Sequence, residues 1–325
     1  MVYEGDLQGD ETVMVENTGG TEAAQVRDRV ARRIGAAVGA WAAGMTLEQI
    51  RQAYDALVAA PLGVRPSPVA IGAMQAAWIS APHAVPVRAA LYCHGGGYQI
   101  GSIQSHLNLM ARLAAAGQAR VLAFEYRRAP EHRYPCASDD ALSAYRWLLD
   151  RHGAPAAILG DSAGAALAVA TALQARDLGL ALPSCLVLLS PWLDLTMRGA
   201  SYSSRADRDV FSKPAQLRAM VRAYLGRGGD PLIPLGSPVE ADLTGLPPML
   251  LQAGDDDITL DDSALFVERA RAQGCDAEMT VFPGMFHHFP MFDELPESAQ
   301  AVAQAVSFIE RHAGSAEISP GHPRP

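Results

Sequence analysis

Ala156-Ala157-Ile158-Leu159-Gly160-Asp161-Ser162-Ala163-Gly164 reads as a short apolar strand running into a tight turn, and Ala163 to Arg176 continues it as a helix. Gly160-Asp161-Ser162-Ala163-Gly164 fits G-x-S-x-G, at the strand-to-helix junction where that pattern holds a nucleophile. The turn strains the serine backbone, so the neighbours two positions away must be small. It lifts the Ser162 oxygen above the sheet and leaves the Ala163 amide, at a helix N-terminus, free for an anion.

On both sides of this turn, strand-like runs alternate with helical ones. Strands are expected at Val87–Cys93, Arg120–Tyr126, Cys185–Leu189, Pro248–Ala253 and Ala277–Phe282. Helices are expected at Leu107–Ala116, Asp139–Leu149, Asp261–Gln273 and from about Ser298 to Arg311. This alternation implies right-handed crossovers and a mostly parallel sheet with helices on both faces. Before it, Val26, Val30, Ile34 and Val38, then Leu47, Ile50, Tyr54 and Leu57, give helical spacing, with Thr46 as an N-cap. Residues 1–20 show no period and read as a loose arm. The segment from about 196 to 229 interrupts the alternation and reads as an insertion over the active-site edge. The tail 313–325 reads as disordered.

Composition narrows the function. The 325 residues are 49% hydrophobic and 19% charged, which favours a packed core over disorder. The net charge of −9 lacks the basic excess that phosphate neutralisation needs, so no nucleic acid is expected, nor a polybasic membrane anchor. The N-terminus has no signal-peptide pattern, and the Ile34–Met45 stretch is too short to span a bilayer. Cys93, Cys136, Cys185 and Cys275 form no CxxC pair and suit a reducing, cytoplasmic compartment. No metal and no cofactor are expected, and a homodimer is left open.

A serine nucleophile needs a base, and the base an orienting carboxylate, in the chain order Ser, acid, His. His287 and His288 follow Phe282-Pro283-Gly284-Met285-Phe286, a strand end and turn suited to a loop-borne base. The preceding strand runs into Gly254-Asp255-Asp256-Asp257, where the acid belongs; a solvated acidic turn is the competing reading. His94-Gly95-Gly96-Gly97-Tyr98 follows another strand. Its glycines let backbone amides converge on an oxyanion at about 3 Å. It matches neither phosphate-loop pattern, and His94 is read as bracing the loop.

Together with Tyr126-Arg127-Arg128-Ala129-Pro130-Glu131-His132, Ser190-Pro191-Trp192-Leu193-Asp194 and Gly284-Met285-Phe286-His287, these motifs resemble the bacterial hormone-sensitive-lipase-like esterases of the α/β-hydrolase fold. The resemblance runs from roughly Ala23 to Arg311. It implies a catalytic domain over 56–312, with residues 1–55 and the 196–229 insertion as a helical cap. Asp257-Ile258-Thr259-Leu260-Asp261-Asp262 stands where the family usually has D-P-L-x-D-E, and gap-free placement from both flanks puts Asp257 at the acid position, with Asp256 as rival. Gly95, Gly96 and Ala163 are then the implied oxyanion donors.

The expectation is a serine esterase acting on a small short-chain acyl ester, with Ser162, His287 and Asp257 as triad. Lactone, amide or carbamate hydrolysis by the same groups is the alternative. A non-catalytic small-ligand receptor is disfavoured because every triad position is filled. Tyr98, Leu193, Tyr202, Phe211, Ile258 and Met285 are candidate pocket walls, or ordinary core. His288, adjacent to the base in an extended loop, is expected to face elsewhere.

Overall fold

A computed structural model describes residues 12–15, 20–42, 44–61, 63–81 and 88–314. The strands are β1 (Thr12–Met14), β2 (Ser67–Ile71), β3 (Met74–Ser80), β4 (Arg88–Cys93), β5 (Ala119–Phe124), β6 (Ala157–Asp161), β7 (Cys185–Leu189), β8 (Met249–Gly254) and β9 (Ala277–Phe282). The helices are α1 (Thr21–Ala42), α2 (Leu47–Asp55), α3 (Ile103–Ala116), α4 (Cys136–His152), α5 (Ala163–Asp177), α6 (Ser201–Ser204), α7 (Pro214–Leu225), α8 (Leu260–Ala272) and α9 (Pro296–Ala313).

The strands form one sheet in the order β1-β9-β8-β7-β6-β4-β5-β3-β2. Pairing is parallel from β1 to β5 in that order, and antiparallel for β5–β3 and β3–β2. Strands β6, β7 and β8 are buried at every residue, because helices cover both faces and leave no solvent side for a polar alternation. Helices α3 and α9 pack together on one face, while α4, α5 and α8 cover the other. Alanine-rich α5 is buried along nearly its whole length and sits directly against β6, β4 and β7.

Three features depart from the sequence expectations. Thr12–Met14, within the expected loose arm, adds to the sheet edge parallel to β9. Three residues are too few for a period to show. The β2–β3 hairpin was not anticipated either. Its two-residue loop, Gly72-Ala73, opens at φ 61, which Gly adopts without steric cost, and Pro68 is tolerated because β2 is an edge strand. Helix α3 begins four residues earlier than expected, at a capping box in which Ser102 and Ser105 satisfy each other's backbone N–H. The Thr46 N-cap forms as expected, with Gln49 closing the box. The disordered-tail expectation falls, from residue 315 on, outside the described residues.

Around the C-terminal sheet edge, Trp41 of α1, Tyr54 of α2 and Phe211 of the insertion pack their rings together at 6.0–6.4 Å. Arg51 ties α2 down by donating to the Gln99 and Ala129 carbonyls while pairing with Glu131 at 2.8 Å. No helix among the described residues is long and apolar enough to cross a membrane.

Candidate active site

Strand β6 ends at Asp161, α5 starts at Ala163, and Ser162 between them takes φ 51, ψ −121. That left-handed backbone is costly for a residue with a Cβ. It is held by the Ser162 N–H donating to the Leu189 carbonyl at 3.0 Å, and by the Ser162 carbonyl accepting from the Ala165 and Trp192 amides. The flanking glycines follow from contact. A Cβ on Gly160 would meet the Gly164 carbonyl at 2.2 Å, and one on Gly164 would meet the Cys93 carbonyl at 2.1 Å. The nearby Ala165 is fully buried in α5.

His287 lies on the loop after β9, and Asp257 on the loop after β8. The Ser162 hydroxyl reaches His287 Nε2 at 2.8 Å, and His287 Nδ1 lies 2.9 and 3.1 Å from the two Asp257 oxygens. Asp257 can only accept when ionised, so Nδ1 carries the proton and Nε2 accepts from the serine. The Thr259 amide and hydroxyl both donate to Asp257 Oδ1 at 2.8 Å. Asp255 instead accepts from the Gly284 amide, and Asp256, partly exposed, pairs with Arg208 at 2.9 Å. Geometry therefore brings Asp257, and not Asp256, to His287.

The electrostatics follow from burial. Burial disfavours the imidazolium, but the Asp257 charge and hydrogen bond, with smaller help from Asp209 and Asp161, hold His287 above its ordinary pKa. Burial likewise disfavours the Asp257 carboxylate, and the His287 charge and hydrogen bond outweigh it, leaving Asp257 below its ordinary value.

A second buried carboxylate organises the glycine loop. Asp161 Oδ1 accepts from the Gly95 amide at 3.0 Å and the Tyr92 hydroxyl at 2.8 Å. Its Oδ2 lies 3.1 Å from His106 Nε2 and 2.8 Å from His288 Nδ1. Burial opposes its charge, yet the two imidazoles keep it well below the usual carboxylate range. Gly95 fits because a Cβ there would sit 2.3 Å from Asp161 Oδ2. This corrects one expectation: the Gly95 N–H is committed to Asp161 and is not available to an oxyanion. The Gly96, Gly97 and Ala163 amides have no protein acceptor among the described residues. His94 braces the loop as expected, stacking on Tyr126 at 4.2 Å with Nδ1 2.9 Å from the Gly95 carbonyl.

The six expected pocket residues are all buried, in different roles. Phe211 stands 4.9 Å from the His288 ring and 6.3 Å from His287. Tyr98, beside the glycine loop, stacks on Tyr224 of α7 at 3.7 Å. The Leu193 amide and Tyr202 hydroxyl both donate to Asp262, and the Ile258 amide to Asp209. Met285 backs Gly254, where a Cβ would meet its carbonyl at 2.0 Å. His288 points away from Ser162 toward Asp161, at φ 63. Asp161, His106, Tyr92 and Asp209 escaped the sequence reading. Asp161 occupies a free position of its motif, and the others carry no local pattern. Asp209, Asp257 and His287 offer ligand atoms within 4.8 Å of one another. His287 and Asp257 are hydrogen-bonded to each other, while Asp209 accepts from the Phe211, Ser212 and Ile258 amides.

A strained serine at a strand-to-helix turn, a histidine and aspartate on later loops, and a parallel sheet beneath them define an α/β-hydrolase. The chain matches the α/β hydrolase fold family over residues 90–291. It is 41% identical to an acetyl-hydrolase of Streptomyces hygroscopicus, covering 82% of this chain and 91% of the relative. It is 38% identical to an esterase of Acinetobacter venetianus, covering 67% and 73%. The crystal structure of an esterase from the bacterial hormone-sensitive lipase family superposes with a TM-score of 0.83 at 35% identity, covering 91% of this chain and all of the other. The chain belongs to the α/β hydrolase fold family, among the bacterial hormone-sensitive-lipase-like esterases.

Proposed function

We propose that this protein is a serine carboxylic-ester hydrolase that cleaves short-chain acyl esters through Ser162, His287 and Asp257. The observation that carries the reading is the unbroken hydrogen-bond chain from Ser162 through His287 to Asp257, beside three uncommitted amides. Ser162 Oγ attacks the ester carbonyl carbon as its proton passes to His287 Nε2. The Gly96, Gly97 and Ala163 amides stabilise the oxyanion that develops. His287 returns the proton to the departing alkoxide, leaving an acyl-enzyme. Water then attacks the acyl carbon while His287 takes its proton, and Ser162 leaves with that proton as the carboxylic acid is released. Asp257 stays ionised throughout, fixing the tautomer and stabilising the imidazolium.

Two observations support a small acyl group. A relative 41% identical over 274 residues is an acetyl-hydrolase. The rings of Trp41, Tyr54 and Phe211 crowd the space above the histidines, and Met220 of α7 lies against Gly97. These contacts also support α1, α2 and the 196–229 insertion as a cap over the pocket. Four unpaired cysteines support a cytoplasmic location. The test is hydrolysis of p-nitrophenyl esters from acetate to palmitate, run beside lactones. Highest kcat/KM at two to four acyl carbons is expected; a preference for long chains or for lactones would overturn the substrate class.

A further inference from the structure

Asp209 lies in the insertion between α6 and α7 and is fully buried. Its Oδ1 accepts from the Phe211 and Ser212 amides at 2.8 and 3.0 Å, which closes a tight turn and aims the carboxylate inward. Its Oδ2 accepts from the Ile258 amide at 3.1 Å, the residue immediately after Asp257. The carboxylate thus bridges two segments 49 residues apart. It also lies within 4.8 Å of both an Asp257 oxygen and a His287 nitrogen. A solvated carboxylate could satisfy the same amides at the surface. Burying a second one beside an existing acid is expensive unless a cation or strong donors face both.

We propose that Asp209 is a positioning residue that couples the cap to the catalytic acid and base. It holds the acid-bearing loop through the Ile258 amide and adds a second negative charge behind the His287 imidazolium. The inference rests on reading Asp257 and His287 as acid and base. When Ser162 gives up its proton, the cation on His287 faces two carboxylates instead of one, in a site that water does not screen.

The surrounding charges fit this role. From the acid loop Asp257 faces Asp209, and from the base loop His287 does. From its own segment, Lys213 Nζ reaches the Asp209 backbone carbonyl at 2.6 Å rather than its carboxylate. Arg205 and Arg208 turn outward to the Asp255 carbonyl and Asp256. From the nucleophile strand, Asp161 also favours the His287 cation, while His288 is held down to about 4 by burial and by that same cation. Burial and the Asp257 charge push Asp209 up to about 6, so it is ionised above that pH, where an esterase with a neutral His287 works.

The test is Asp209→Asn, which keeps the shape and one acceptor oxygen but removes the charge. With the charge gone, His287 becomes less basic. The acid limb of kcat/KM therefore moves to lower pH, while kcat falls about tenfold and KM changes less than about twofold. A merely structural loss would lower the plateau without moving the limb, and that result would overturn the proposal. Stability provides a second readout. In the wild type, a buried acid whose pKa is raised from about 4 to about 6 stabilises the fold at low pH, and that contribution is lost as pH rises through this window. The difference in Tm between Asp209→Asn and wild type should therefore shift in favour of the variant from pH 4 to pH 7; a constant difference would count against the proposal. If the variant does not fold, the ¹⁵N titration of His287 in the wild type decides, with a second step near pH 6 expected and a single step contradicting it. Asp257→Asn separates the two readings. If it is inactive while Asp209→Asn leaves the limb in place, only the role of Asp209 fails; if it is fully active, the triad reading fails first.

Discussion

The Asp161 carboxylate and the Gly95 amide lie 3.0 Å apart, joining the residue before Ser162 to the glycine loop whose free amides are proposed to face the oxyanion. One buried carboxylate thus sets the spacing between Ser162 and Gly96. Asp161→Asn keeps one acceptor but cannot satisfy the Gly95 amide, the Tyr92 hydroxyl and two imidazoles together. The expected result is a fall in kcat of about 10²-fold with KM nearly unchanged, the signature of a lost transition-state interaction, measured by steady-state kinetics on a short ester.

The adjacent histidines should behave very differently. His287→Ala removes the base and should lower kcat by about 10⁴-fold or more. His288 reaches Asp161, not Ser162, and its φ of 63 suits glycine. His288→Gly therefore introduces no backbone strain, and because His106, Tyr92 and Gly95 still hold Asp161, its kcat should fall no more than about tenfold. An inactive His288→Gly beside an active His287→Ala would reassign the base.

Among the three consecutive acids, only Asp257 meets the imidazole. Asp257→Asn should cost up to about 10⁴ in kcat by favouring the wrong tautomer. Asp256→Asn should cost little, because its pairing with Arg208 is partly exposed and worth about 1 kcal/mol or less. Measuring both variants on one ester distinguishes them, and a mild loss at Asp257 would contradict the assignment.

The pH profile has a fixed sign. The general base must be neutral, and His287 is held above its ordinary 6.5 despite burial, chiefly by Asp257. kcat/KM should therefore fall as pH drops through that raised value, with the loss setting in above pH 6.5. An acid limb lying well below pH 6 would show that another group, or a differently solvated His287, governs the reaction.

The parts of the fold visible in the sequence were those with a period or a required turn. β7 and β9 match their expected bounds residue for residue: β7 is a five-residue apolar run stopped by Ser190-Pro191, and β9 has Ala277, Met279 and Val281 at alternate positions and is stopped by Pro283-Gly284. The elbow was legible since only small residues pass where Gly160 meets Gly164. The hairpin of β2 and β3 was hidden by Pro68 and by a loop, Gly72-Ala73, without the Asn-Gly or Asp-Gly signal. In the site, Ser162, His287 and Asp257 sit in motifs and could be named. The donor register could not: whether Gly95 or Gly97 faces the oxyanion depends on which amide Asp161 captures, a contact between residues 66 positions apart. Asp209 was invisible for the same reason: it shares an arginine-rich insertion with Asp207, and the Ile258 amide that marks it out is 49 positions away.

Ser162 as nucleophile is tested by kcat for Ser162→Ala on p-nitrophenyl butyrate, with circular dichroism confirming an unchanged fold. A loss on the order of 10⁴–10⁶-fold is expected, the remaining rate being the contribution of the amides and of binding alone. Turnover within about tenfold of wild type by the folded variant would contradict it.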